Sequence, residues 1–237
     1  MLPETFELWS FSHALAIILS AGLVCALISI RRHPPMSLSP EKCDRILGVL
    51  LLVAWIGQTV WWAIPPRLEL DKSLPLHLCD LASLAAPFAL LSRQRFFRVI
   101  LYFWGLGLTS QAYFTPTLQE GPAIAAYWLF WLNHFSIVGA ALYDVIARGY
   151  RPTWGDYGKA MTALLAYGAV MFPVNLSLGW NYGYIGQADP QTPTLLDVIG
   201  PWPWRVAVMA ILAAIFLAAM TVVWSIPSRQ LIGRPRQ

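Results

Sequence analysis

Seven apolar runs, separated by short polar or proline-rich breaks, follow one another along the chain. The first, about Phe11 to Ile30, is long enough to span a bilayer. It stops at Arg31-Arg32-His33-Pro34-Pro35, since proline cannot continue a helix hydrogen-bond ladder. Ser39-Pro40-Glu41-Lys42 reads as a helix start with proline in the first turn, leading into a second run at about Asp44 to Ile64. Pro65-Pro66 closes it, Arg67 to Ser73 is a polar loop, and Pro75 opens a third run that reaches about Leu91. Further runs cover about Phe97 to Thr115, Ala123 to Ala147, Tyr157 to Leu178 and Trp204 to Ile226. Pro173 and Asn175 predict a kink or an irregular end in the sixth, and Gly179 to Pro203 is a loop rich in Gly, Pro, Asn and Tyr. Residues 1–10 carry Glu4 and Glu7 but no Lys or Arg, which is unlike a signal peptide, so the first run is expected to be a retained helix.

Composition supports that pattern. Of 237 residues, 57% are hydrophobic and 12% charged, against about 25% charged in soluble domains, and the mean hydropathy is +0.56. The expected fold is all-α: a polytopic seven-transmembrane-helix bundle forming one domain over residues 1–237. The net charge of +4 does not indicate nucleic acid, because no polar stretch is long enough to present a basic patch. Of the 16 Lys and Arg residues, all but Arg67, Lys72 and Arg205 flank the breaks after runs one, three and five or lie in the C-terminal tail. Such asymmetry predicts an outside N-terminus and a cytoplasmic C-terminus. Trp9, Trp61, Trp62, Trp180, Trp202 and Trp204 then fall at the outer interface, where an aromatic belt belongs. Three cysteines with no CxxC argue against a disulfide framework and a zinc ribbon.

The candidate chemistry lies in polar residues within these runs. Leu74-Pro75-Leu76-His77-Leu78-Cys79-Asp80-Leu81 places an imidazole, a thiol and a carboxylate at the start of the third run. In lipid such groups must face a bundle interior, pair with one another or react. Gln111 falls in the outer half of the fourth run, Asn175 near the outer end of the sixth, and Asn133-His134 near the middle of the fifth. On a regular helix, His77 lies about 60° to one side of Asp80 and Cys79 about 100° to the other. Along the fifth run Asn133, Ser136 and Asp144 form one stripe, and Tyr127, Trp131 and His134 the next.

Each group also has an ordinary structural reading. Cys25 and Cys43 read as inert thiols, His77 as a hydrogen-bonded imidazole near the interface, and Asp80 and Asn133 as glue between helices, each worth about 1 kcal/mol. A reactive reading takes Cys79 as nucleophile, His134 as base and Asp80 or Asn133 as the group that orients the base. Gln111, Asn175 or a backbone amide would stabilise an oxyanion, and His77 is an alternative base. Substrate-binding or supporting roles fall to His77, Asn133, Gln111, Asn175 and Tyr182. The substrate of so apolar a chamber would be lipid entering between helices. A metal site on His77, Asp80, His134 and Cys79 is a weaker reading, because HExxH and CxxC spacings are missing. No cofactor is expected. A bundle that binds or transports a ligand, with Pro173 as its discontinuity, needs no reaction at all.

LPLHLCDLASL after a double-proline loop, the Asn133-His134 pair, and PVNLSLGWNYGYIG at the end of the sixth run occur in that order. They resemble the pattern of the YwaF-like bacterial integral membrane proteins, a family related to eukaryotic transmembrane protein 164. The likeness extends from the second helix to the seventh. It implies relatives that act as phospholipid acyltransferases through a cysteine and a histidine, and more distant ones that hydrolyse lipid esters with threonine and histidine. By position, Cys79 and His134 match the cysteine and histidine. The resulting expectation is a lipid acyltransferase or lipid-ester hydrolase of the bacterial inner (cytoplasmic) membrane, with membrane lipid as its partner.

The charge asymmetry makes a direct prediction. A fluorescent protein fused to the C-terminus should fluoresce, and alkaline phosphatase fused there should be inactive; active phosphatase would reverse the assignment.

Overall fold

A computed structural model describes residues 2–35, 38–92, 94–188 and 195–225. The C-terminal tail, Ile226 at the expected end of the seventh run, and Arg93 lie outside the described residues. Among the described residues the regular structure is helical, with one isolated bridge between Thr5 and Glu120. The α-helices are α1 (Phe11–Arg32), α2 (Pro40–Ala63), α3 (Leu78–Leu91), α4 (Arg95–Ile100), α5 (Ala125–Ile146), α6 (Trp154–Leu178) and α7 (Trp204–Ser225). Five of them, α1, α2, α5, α6 and α7, are long and apolar enough to cross a membrane.

Local chemistry sets the boundaries. Ser39 caps α2 by accepting the Lys42 N–H at 3.3 Å, and Pro40 occupies the first turn, where its missing N–H costs nothing. Thr153 and Asp156 form a reciprocal capping box that starts α6 three residues before the expected position. Pro173 does not interrupt α6, which continues to Leu178 and ends on Gly179 at φ 70°. The third and fourth runs depart most from expectation. α3 has 14 residues, about 21 Å at 1.5 Å per residue, and begins three residues after Pro75 because Leu74 to His77 is not helical. The wheel placing His77 beside Asp80 therefore does not apply: His77 is the N-cap, with φ −69° and ψ 155°. α4 widens into a π-helical stretch, Leu101–Leu108, which closes as Thr109 N–H and hydroxyl both bond to the Trp104 carbonyl at 2.8 and 2.9 Å. Glycine permits the close approach there: a Cβ on Gly105 would lie 2.8 Å from Ile137, and one on Gly107 2.9 Å from Met220.

α5 is the central helix. Within its apolar window 61% of residues are buried, against 11% in each of α2, α6 and α7. α3 lies against α2 and α5 through Ala82, Ala85, Ala86 and Ala89, small side chains that let helices approach closely. The outer helices turn apolar residues outward, including Ile18, Val53, Val170 and Ile215, each more than 60% exposed. Such a surface suits lipid rather than water.

The end of the bundle away from His77 is tied by buried ion pairs. Asp44 accepts from Arg31 Nε at 2.9 Å, Arg148 Nε at 3.1 Å and the Tyr143 hydroxyl at 2.7 Å. Asp144 accepts from Arg98 Nε at 2.8 Å and Arg148 Nη1 at 3.0 Å. Arg148 also donates to the Ala89 carbonyl at 2.9 Å, so one guanidinium links α2, α3 and α5. Arg95 holds Asp156 at the start of α6, with Nε to Oδ1 at 2.8 Å. The basic residues read above as topology signals thus also join helices. Removing one partner of a buried pair leaves the other charge uncompensated, at a cost of about 3–5 kcal/mol. Arg148→Ala, which strips both Asp44 and Asp144, should lower unfolding stability in detergent by about that amount, whereas Lys72→Ala, in an exposed pair, should change it by less than about 1 kcal/mol.

Candidate functional site

The site is built where α3 begins. Leu74 to His77 is non-helical backbone among apolar helices, so its N–H and C=O groups need partners from the protein. The Tyr182 hydroxyl accepts from the Leu74 N–H at 3.0 Å and donates to the Leu70 carbonyl at 2.7 Å. Tyr167 donates to the Leu76 carbonyl at 2.8 Å, and the Asp80 carboxylate accepts from the His77 N–H at 3.1 Å. From α2, Trp55 Nε1 donates to the Asp80 carbonyl at 3.2 Å.

Tyr182 is itself held from α6. The Asn175 amide donates to the Tyr182 carbonyl at 2.8 Å, and its oxygen accepts the Tyr182 N–H at 3.1 Å. The chain then passes α3 through two left-handed residues, Gly183 (φ 67°) and Tyr184 (φ 60°). A Cβ at Gly183 would lie 2.5 Å from the Tyr167 hydroxyl, so only glycine fits. From this position the Gly183 N–H donates to His77 Nδ1 at 3.3 Å. The His77 ring lies 4.8 Å from the Tyr182 ring and 5.6 Å from that of Tyr184, centroid to centroid.

α5 supplies His134. Its Nδ1 donates to the Phe130 carbonyl one turn earlier at 2.8 Å, and its ring lies 4.1 Å from the Phe130 ring. A carbonyl can only accept, so Nδ1 carries the proton and Nε2 of the neutral ring is an acceptor.

Between these elements is a chamber of about 1110 Å³. His77, Cys79 and Asp80 line it from the start of α3, Gln111 from beyond α4, and Asn133 and His134 from α5. Thr109 and Ser110 border it too, because the π-helical stretch ends there. Pro173 and Ala169 lie on its α6 wall; proline returns no hydrogen bond to the carbonyl four residues earlier, which here is that of Ala169. No Lys or Arg lines the chamber among the described residues. Leu165 of α6 and Leu212 and Phe216 of α7 both line it and are 58%, 49% and 50% exposed. On that side the chamber is continuous with the outer apolar surface.

The sequence-selected residues separate into two groups. Cys79, Asp80, His77, Asn133, His134 and Gln111 share the chamber, whereas Asn175 and Tyr182 support its wall from behind. Among the described residues no hydrogen bond joins Cys79 to His134; the thiol contacts Asp80 Oδ1 at 3.9 Å. Asp80 does not orient His134, since its oxygens serve the His77 N–H and the thiol. The Phe130 carbonyl takes that place. The Asn175 amide is committed to Tyr182 and is not a donor into the chamber. Among the described residues no three His, Cys, Asp or Glu side chains form a group that could hold a metal ion, so the set His77, Asp80, His134 and Cys79 is not assembled as ligands. All three cysteines are free thiols.

Phe130, Tyr167, Gly183 and Tyr184 were not selected from the sequence. A carbonyl four residues before a helical histidine is foreseeable from helix spacing. The Tyr167 and Gly183 contacts depend on tertiary placement.

Tyr182→Phe should remove the two bonds that hold Leu70 and Leu74, at a cost of about 1–3 kcal/mol. Hydrogen exchange should speed up at the Leu74 amide while the amides in the middle of α5 keep their protection. Unchanged exchange at Leu74 would refute the bracing role.

The sequence matches the TMEM164 family profile over residues 8–221. It is also 25% identical over 189 residues to an uncharacterized protein of Treponema pallidum (strain Nichols), covering 80% of this chain and 76% of that protein. No solved structure matches it. With the profile spanning all of α2 to α6, the capped start of α3, the His134 helix and the Asn175 clamp included, the chain belongs to the TMEM164 family.

Proposed function

We propose that this protein is a lipid acyltransferase or lipid-ester hydrolase in a bacterial inner membrane, with Cys79 as nucleophile and His134 as base. The observation that carries the reading is the chamber: a thiol and an imidazole with an unused Nε2 border one cavity whose α6 and α7 side opens onto exposed apolar surface. A lipid acyl chain can enter there without crossing water, and its ester then meets the polar wall that holds Cys79, Asp80, Asn133 and His134. The Cys79 proton passes to His134 Nε2, directly or through one water, and the thiolate attacks the ester carbonyl. The chain crosses the membrane seven times with its N-terminus outside; the third and fourth crossings are completed by the extended lead into α3 and the π-helical continuation of α4.

Intact-protein mass spectrometry after incubation with a phospholipid or an activated ester tests this. An acyl adduct should form on the wild type, be lost in Cys79→Ala, and form at least about 100-fold more slowly in His134→Gln. An adduct that persists in Cys79→Ala overturns the mechanism.

The lack of a hydrogen bond between Cys79 and His134 favours a second reading, a chamber that holds lipid without reacting with it. It predicts co-purifying lipid and no adduct under any of these conditions.

A further inference from the structure

The two histidines on the chamber wall are held by opposite kinds of partner. His134 Nδ1 faces a carbonyl, Phe130, which fixes a proton on Nδ1 and a lone pair on Nε2. His77 Nδ1 faces an N–H, that of Gly183, which fixes a lone pair on Nδ1 and therefore a proton on Nε2. Nε2 has no hydrogen-bond partner among the described residues in either ring. One ring is thus set as an acceptor and the other as a donor, and both belong to the same chamber.

We infer that His77 is the oxyanion donor of the reaction at Cys79. The inference rests on the acyl-transfer reading above. As the sulfur–carbon bond forms, the thiol proton moves to His134 Nε2 and the carbonyl π pair moves to oxygen. That oxygen accepts from His77 Nε2–H and from the backbone N–H of Cys79. The N–H groups of Asp80 and Leu81 return to the His77 carbonyl, whereas those at the very start of a helix lack an intrahelical acceptor, which leaves the Cys79 N–H available. On collapse the carbonyl re-forms, the carbon–oxygen ester bond breaks, and the leaving alkoxide takes the proton from His134. The products are an acyl thioester on Cys79 and an alcohol. Transfer to an acceptor hydroxyl or to water repeats these steps in reverse, and His77 keeps its own proton throughout.

This explains the construction behind His77. The donor tautomer requires an N–H pointed at Nδ1, which the left-handed turn at Gly183 and Tyr184 provides. The Asn175 clamp on Tyr182 holds that turn in place. The Tyr182 and Tyr184 rings flank the imidazole and limit its rotation. Asn175 and Tyr182 are positioning residues that act through His77.

The test uses purified full-length protein in lipid nanodiscs with an activated ester, following acylation of Cys79 by intact mass. His77→Ala should slow acylation by about 10²–10³-fold, with half-saturation by the ester unchanged. His77→Gln, which keeps a non-titrating N–H donor near the Nε2 position, should recover most of that loss, whereas His134→Gln should not. Histidine ¹⁵N spectra of the wild type should show His77 protonated on Nε2 and His134 on Nδ1, a reading that does not depend on activity. Wild-type rates in His77→Ala, a His77→Gln variant as slow as His77→Ala, or an Nδ1–H tautomer at His77 would each overturn the donor role and leave the Cys79 reading standing. A wild type that never acylates Cys79 would overturn both.

Discussion

The rest of the site depends on one constraint: a short extended segment, Leu74 to His77, lies half-buried among apolar helices outside any helical ladder, so its backbone must find partners elsewhere in the protein. The Leu76 N–H turns back to the Leu74 carbonyl, and the His77 carbonyl accepts from the first turn of α3. The other groups need side chains, because an unpaired buried N–H or C=O costs about 1–3 kcal/mol. Tyr182, Tyr167 and the Asp80 carboxylate meet those groups one by one. Several polar residues that look catalytic in the sequence are therefore there first to let α3 begin so late.

The two ends of the bundle divide the work. At one, Asp44 and Asp144 share Arg148, and the ion pairs leave little freedom between α1, α2, α4 and α5. At the other, α6 and α7 present exposed apolar residues to a wide chamber. The ion-paired end thus fixes α3 against α5 independently of the α6 and α7 wall of the chamber.

The apolar runs made the helices legible, and all five long ones lie within a few residues of where hydropathy and proline place them. The misses have a common origin. Pro75 looked like the first turn of a helix, yet the Tyr182 and Tyr167 hydroxyls draw Leu74 and Leu76 out of the ladder, and tertiary bonds override local propensity there. Asp144 and Arg148 are four apart and could have been paired by helix spacing alone, but nothing in the sequence brings Asp44 to them. In the site, the grouping of Cys79, Asp80, Asn133 and His134 was legible from their depth in the helices. The partners of each were not, because hydrogen bonds to carbonyls and to Gly183 depend on rotamer and on loop path.

The register of Leu-His-Leu-Cys-Asp is set by capping rather than by hydropathy. The Asp80 carboxylate reaches back three residues to the His77 N–H, which makes His77 the last extended residue and Cys79 the second of the helix. A slip of one residue in either direction would remove the carboxylate from that N–H and leave a buried donor unpaired. It would also move the imidazole away from Gly183, and a slip toward the C-terminus would put the thiol at the Asp80 position, whose N–H already bonds to the residue 77 carbonyl. Cap, donor histidine and thiol are therefore coupled through one helix terminus, and the spacing between them follows from the geometry of a first helical turn.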